Sequence, residues 1–290
     1  MVFLEYDVDA EFPTRFSIWW AAFNDYSATL PLVMVDSGHQ ITNGYENFYT
    51  VYKGMVEASL LRPPGAALEA SVWRENNQAK FYVYVQNLTG ITLSTSLNSA
   101  TLHGLVYEDI HAGVTDRYVR AAVSTSIDNL EPNASATFTF ETPDLLGVNW
   151  DNLHYLVLVD YIPPGSGGAH DMLQAARAIP VTGPFAIQPD QLSFFIDPSD
   201  TPNPTKLLAI QGASFLSWLA MEDIAWLSVT PPNGSIETPP AVSINTSLLS
   251  PGVQQGVITF TTMDGYFTKD VPVFVYYGSI KHHYLPVIGR

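Results

Sequence analysis

The sequence contains no cysteine. That absence excludes a disulfide framework, a thiolate nucleophile and any zinc or iron–sulfur site built on thiolates. Cations are also scarce: 12 Lys and Arg stand against 28 Asp and Glu, a formal net charge of −16. Phosphate backbones are gripped by clustered cations, so nucleic acid is excluded as a partner and anionic membrane surfaces are disfavoured. Charged residues make up 14% of the chain, against about a quarter in ordinary globular proteins. Ser, Thr, Asn, Gln, Tyr and Pro must therefore cover the surface, which suits an extracytoplasmic protein. No apolar run reaches the roughly 18–20 residues of a membrane span. The start, Met1 to Asp7, carries Glu5 and no basic run, so it does not read as a signal peptide. The chain opens inside a strand-like run, and the expectation is a truncated or processed start with any leader upstream.

What is present is ample material for folding. The chain has 290 residues, 47% of them apolar, enough for two or three domains. The first part alternates strand and helix signals. Val2 to Val8 reads as a strand. Pro13 opens a helix with Phe16, Trp19, Trp20 and Phe23 on one face. Thr29 to Asp36 reads as a buried strand, with a turn at Gly38. Tyr45 to Leu61 carries an apolar stripe of Phe48, Val51, Tyr52, Met55, Val56 and Leu60, stopped by Arg62-Pro63-Pro64-Gly65.

From Ala66 to about Ile179 the period changes to two. Phe81–Gln86, Thr137–Glu141 and Leu153–Asp160 are runs of aromatic and β-branched residues with Asn and Gly between them. Pro163 to Gly168 reads as a flexible loop, and Pro180 to Pro189 as a linker. From Leu192 to Tyr277 the pattern is again all β, with strands expected near Leu207–Gln211, Trp226–Val229, Val242–Asn245, Gly256–Thr262 and Val271–Tyr277. The fold class read from these patterns is mainly β, with a small α/β N-terminal part and two β-sandwich domains. The expected divisions are 1–65, 66–180 and 190–279, with a tail at 280–290.

Three resemblances add to this reading. The Thr29-Leu30-Pro31 step, the following strand, the Gly38 turn, the strand at Gln40-Ile41 and the final helix resemble the second half of a thioredoxin fold. The resemblance implies a cis Leu30–Pro31 bond, making Pro31 a structural cis-proline candidate. It also implies a missing front half, the half that carries the family's dithiol. Without the central strand of that half, its neighbours must pair with each other, accept another segment or chain, or belong to a longer gene product. The last of these is expected, with direct pairing in an isolated chain. Leu105–Ile110 and Arg117–Val123 resemble the β domain that follows a thioredoxin-like domain in Omp28-type outer-membrane lipoproteins. Trp226-Leu-Ser-Val-Thr-Pro-Pro-Asn-Gly-Ser235, with Gly256–Thr262, resembles a BACON domain, an immunoglobulin-like module of secreted bacterial proteins; it implies a spacer or a carbohydrate binder.

Candidate sites are few. Asp7, Asp9 and Glu11 alternate, but without the sixth-position glycine and distal Glu of a calcium loop they read as a solvated helix cap. Glu108 and Asp109 with His103 and His111 have the residue types for acid–base or metal work; a strand role, with Arg117 and Arg120 pairing to the acids from a neighbouring strand, is favoured. His282 and His283 are adjacent on an extended tail and point opposite ways, which makes a poor chelate. Gly165-Ser166-Gly167-Gly168 lacks the spacing of a nucleophile elbow. Asn87, Asn133, Asn233 and Asn245 open Asn-x-Ser/Thr sequons, read as chance products of polar loops. The aromatic residues remain. Trp150, Trp218 and Trp226 are candidate ligand-binding residues, since indole rings stack on sugar faces; Trp226 is weighted towards the core and Trp218 towards exposure.

The sequence thus predicts a non-enzymatic secreted or cell-surface protein with a structural or adhesive role. Its expected partners are a polysaccharide or cell-surface glycan and other domains of a longer polypeptide, and no cofactor or metal is expected. The alternative is a fragment of an extracytoplasmic thiol–disulfide exchange protein whose cysteines lie upstream.

Overall fold

The computed structural model describes residues 32–43, 47–112, 115–168, 170–199 and 203–279. The predicted strand at Val2–Val8, the helix opening at Pro13, the Leu30–Pro31 bond, the acids Asp7, Asp9 and Glu11, and the tail with His282 and His283 lie outside these residues. The chain is mainly β, with several sheets and few helices, and it divides into two compact units at Thr182/Gly183. No helix among the described residues is long and apolar enough to cross a membrane.

The described part of the N-terminal unit opens on a hairpin, β1 (Leu32–Val35) and β2 (Gln40–Asn43), paired antiparallel. Between them Asp36, Ser37 and Gly38 all take positive φ, at 54°, 59° and 110°. Only glycine adopts that region without steric cost, so the turn is strained at its first two residues. Helix α1 (Phe48–Leu60) follows. The predicted apolar stripe is there, but among its members only Met55 is buried; Phe48, Val51 and Leu60 are exposed.

A sandwich of two four-stranded sheets then forms from β3 (Ala66–Glu75), β4 (Gln78–Asn87), β5 (Thr101–Ala112), β6 (Thr115–Ser126), β7 (Ser135–Glu141), β8 (Leu153–Tyr161), β9 (Asp171–Arg177) and β10 (Ile179–Pro180). The orders are β10-β3-β4-β7 and β6-β5-β8-β9. Both sheets feed one core that includes Phe81, Val83 and Val85 of β4, Leu102 and Val106 of β5, Val157 and Val159 of β8, and Leu173 of β9. Gly104 of β5 allows the sheets to close: a Cβ there would lie 2.4 Å from the ring of Phe140 on β7. A smaller cluster of Leu105, Leu156 and Leu158 lies on the opposite face of the β5–β8 sheet, because successive strand residues alternate sides.

The C-terminal unit holds β11 (Phe185–Gln188), β12 (Leu192–Ile196), β13 (Thr205–Leu207), β14 (Ala209–Gly212), β15 (Ser217–Met221), β16 (Leu227–Thr230), β17 (Asn233–Ser235), β18 (Ala241–Ile244), β19 (Gly252–Thr262) and β20 (Thr268–Tyr277). The stretch read as a linker, Pro180 to Pro189, therefore carries β11 as an element of this unit. Its main sheet has the order β12-β20-β19-β15-β17, beside a three-stranded sheet β13-β18-β16 and a β11–β14 pair. Strand β12 is parallel to β20, while β19 and β20 form a ten-pair antiparallel hairpin. One face of the main sheet is buried through Leu192, Phe194, Ile196, Trp218, Ala220, Ile258, Phe260, Val271, Val273 and Val275.

Candidate ligand-binding face

Buried polar groups that catalysis could draw on are concentrated, among the described residues, in the N-terminal unit. Glu108, read as a strand residue, is 3% exposed. Its Oε2 accepts from Arg120 at 2.6 Å and its Oε1 accepts from the backbone N–H of Asn149 at 2.9 Å. Asp109 lies 3.8 Å from Arg117, so both arginines reach the two acids across the β5–β6 pair. A bulge in that pair sets Arg120 opposite a register shift between Val106 and Tyr107; such bulges re-aim a side chain. Asp109 also lies 2.7 Å from His154, whose ring stacks on Tyr107. His111 is exposed.

His103 does not join Glu108 and Asp109. It is buried, with Nε2 2.9 Å from Oδ1 of the fully buried Asp160, and His170 approaches the same oxygen to 4.0 Å. Sequence reading missed Asp160 and His170, which lie 57 and 67 residues away from His103 and meet it only through the strand pairing.

A further cluster ties α1 and the strained turn to β9. Arg62 donates to Asp36 at 2.8 Å and to Asp171 at 2.6 Å. Ser59 Oγ also donates to Asp36, at 2.6 Å, and His39 Nδ1 lies 3.5 Å from Asp171. Burial works against the Arg62 charge, but the hydrogen bonds and charges of Asp171 and Asp36 outweigh it and raise its pKa above the ordinary value. Tyr161 is raised too, by burial and then by the negative charge of Asp171, with Arg62 pulling the other way.

These clusters pair each buried acid with its own cation, imidazole or donor instead of converging several reactive groups on one cavity. No set of three or more His, Asp or Glu among the described residues is arranged to hold a metal ion. The glycine loop Pro163–Gly168 lines an open groove of about 380 Å³ with Leu97, Asn98 and Ser99.

The tryptophans fall out differently from expectation. Trp218 is the main correction: it has no exposed surface. It points inward from β15 together with Ala220, its Nε1 donates to Ser235 O at 2.8 Å, and its ring packs on Phe260. No sugar reaches it in this fold. Trp226 is 9% exposed and lies over Gly256, close enough that an added Cβ would meet its ring at 3.2 Å. Trp150 is half-buried with the Arg74 guanidinium 4.3 Å from its ring centroid, so one indole face is already taken. Asn87, the first sequon asparagine, is fully buried and its amide donates to Ile91 O and Leu130 O.

Phe48 and Tyr49 of α1 and Tyr266 between β19 and β20 are exposed, but exposed ring and aliphatic side chains in one aligned row lie on the outer face of the C-terminal main sheet. Residues directly opposite in a register share a face. Phe195 of β12 is opposite Tyr276 of β20, which is opposite Val253 of β19. Their exposures are 73%, 37% and 69%. The next row holds Ser193, Phe274 and Gln255, and the one after holds Pro272 and Val257. Among the residues of the rows themselves the first charge is in the fourth row, at Asp270 beside Thr259 and Met221, while Lys206 reaches the edge of the second row and donates to Ser193 O at 2.7 Å. Neighbouring strands are spaced about 4.8 Å apart and rows about 6.7 Å along them. The result is a continuous field of ring and aliphatic surface that also carries amide and hydroxyl groups. The predicted strands at Gly256–Thr262 and Val271–Tyr277 contain Val257, Pro272, Phe274 and Tyr276 but not Phe195, Val253, Ser193 or Gln255, and the alternation Phe274/Tyr276 against Val273/Val275 is the signal that places those two rings outward.

No family model matches the chain, and no curated protein matches it. Solved structures similar to it include a domain of the outer membrane lipoprotein Omp28 from Porphyromonas gingivalis, 18% identical with a TM-score of 0.26, covering 41% of this chain and 92% of that one. Red sea bream transglutaminase is 13% identical with a TM-score of 0.24, covering 86% and 37%. Catalytically inactive OgpA from Akkermansia muciniphila, in complex with an O-glycopeptide, is 14% identical with a TM-score of 0.24, covering 40% and 32%. Likeness at this level assigns no chemistry to the chain.

Proposed function

We propose that this is a non-catalytic, surface-presented protein with a structural and adhesive role, and that it grips uncharged polysaccharide weakly through the outer face of its C-terminal sheet. The observation that carries the reading is the aligned row Phe195–Tyr276–Val253, exposed on a face whose first three rows hold no charged residue of their own. Contiguous exposed apolar patches on soluble proteins mark interaction sites. Rings offer flat apolar area to the C–H face of a pyranose, and Ser193, Gln255 and the Tyr276 hydroxyl supply partners for sugar hydroxyls. A second copy of the chain, or an anionic polymer, would meet a net charge of −16 and be repelled. A neutral polymer would not.

Affinity electrophoresis through gels containing neutral polysaccharides tests this. Wild type is expected to be retarded, and a Phe195→Ser, Tyr276→Ser double variant to run as in the blank gel with its melting temperature unchanged. Equal retardation of the two, or none for wild type across neutral polymers, refutes the glycan reading.

A further inference from the structure

Among the described residues β12 and β20 are the second and the last strands of the C-terminal unit, and they are parallel neighbours. Their register runs from Leu192 opposite Val273 to Ile196 opposite Tyr277, and Gly278 N–H donates to Ile196 O at 3.0 Å to close the ladder. In a parallel pair the strands run the same way. Tension applied through the chain therefore pulls β12 from its Leu192 end and β20 from its Tyr277 end, in opposite directions along one ladder. The rungs lie across the load and share it, so they must give way together.

The neighbouring hairpin offers the opposite case within the same sheet. β19 and β20 pair antiparallel, with Gly252 opposite Tyr277 at the open end. Pulling those two ends apart loads one rung at a time. From these two facts we infer that the C-terminal unit is a force-bearing clamp: a spacer built to stay folded when the chain is stretched between a surface and whatever holds its other end. The inference rests on the structural and adhesive role proposed above but not on the identity of any ligand. Strand β11 precedes the clamp on the load path and pairs over only four residues, so its release leaves the β12–β20 ladder next in line. Buried side chains support the ladder from beneath, since Leu192, Phe194, Ile196, Val273 and Val275 are each at most 3% exposed.

The chain's lack of cysteine makes the test direct, because introduced thiols are unique attachment points. Single-molecule pulling on the full chain would compare two geometries at one loading rate. Thr182→Cys with Ser279→Cys stretches the unit from end to end, while Ser250→Cys with Ser279→Cys opens the β19–β20 hairpin; Thr182, Ser250 and Ser279 are all exposed. Rupture force follows the barrier to unfolding along the pulled direction, so the end-to-end pair is expected to rupture at a higher force than the hairpin pair. Gly278→Pro, which deletes the N–H bonded to Ile196, is expected to lower the end-to-end force and leave the hairpin force where it was. Equal forces in the two geometries overturn the inference. So does a Gly278→Pro variant that weakens both alike. Loss of gel retardation with the force difference intact would defeat the glycan reading alone.

Discussion

The two units dispose of their polar groups in opposite ways. The N-terminal unit buries Glu108, Asp160, Asp171, His103 and Asn87, among others, whereas the C-terminal unit buries one polar side chain among its described residues, Thr262. Conversely, the C-terminal unit turns Phe195, Val253 and Tyr276 towards solvent in one aligned row. A buried acid is tolerated only when donors meet it, and here each has them: Arg120 and Asn149 for Glu108, His103 for Asp160, Arg62 for Asp171. The difference teaches that polarity inside the first unit ties pieces of chain together, while the second unit sets exposed carbon in register on one sheet face.

The comparison is broken most severely at Trp218. Trp218→Ala removes a fully buried indole and is expected to destabilise the C-terminal unit by about 3–5 kcal/mol. Chemical denaturation followed by hydrogen exchange should show that unit opening first, with the N-terminal unit's protection kept. Loss of gel retardation without loss of protection would instead return Trp218 to the binding face.

A matched pair of carboxylate deletions sharpens the contrast. Glu108→Ala leaves the half-buried Arg120 guanidinium and the Asn149 N–H without their acceptor, at a cost of about 1–3 kcal/mol. Asp270→Ala, which removes an exposed acceptor of Thr259, should cost under about 0.5 kcal/mol. Similar shifts in denaturation midpoint for the two would erase the distinction.

The smallest effect is with pH. Burial raises the Tyr155 phenol above its ordinary value, with Arg74 acting against it, and raises Tyr161 together with the negative charge of Asp171. A folded pKa above the unfolded one means the folded state holds its proton more tightly. The contribution is whole below about pH 10 and is lost as pH rises through the raised values. Melting temperatures between pH 9 and 11 should fall for wild type, and fall less for a Tyr155→Phe, Tyr161→Phe variant. Parallel curves for the two proteins would remove the tyrosines from the account.

How much of this was legible in the sequence differs between elements. Strands with strict alternation were: β8 was expected at Leu153–Asp160 and runs Leu153–Tyr161, and β19 and β20 were expected as cores of the longer strands observed. Strand β15 was not. Ser217-Trp-Leu-Ala-Met is five residues beside an acidic pair, and it takes its identity from pairing with Thr259–Thr262 of β19, 41 residues along the chain. Missing that strand is what put Trp218 on the surface. The binding face was invisible for a related reason. Phe195, Tyr276 and Val253 are far apart in sequence, and a register, which sets them side by side, is decided by the whole sheet. The Glu108–Arg120 pairing was readable because β5 and β6 are adjacent strands; the partnership of His103 with Asp160 needed β8 as well.

In each unit an early strand is completed by the final one. Strand β10 pairs with β3, with Val181 N–H bonded to Val72 O at 2.8 Å, and β12 waits for β20 in the same way. During synthesis, then, neither sheet has its full set of neighbours until the last residues of its unit have emerged. A nascent chain that stalls before β20 leaves β12 and β19 without their shared neighbour, two strand edges open to other chains.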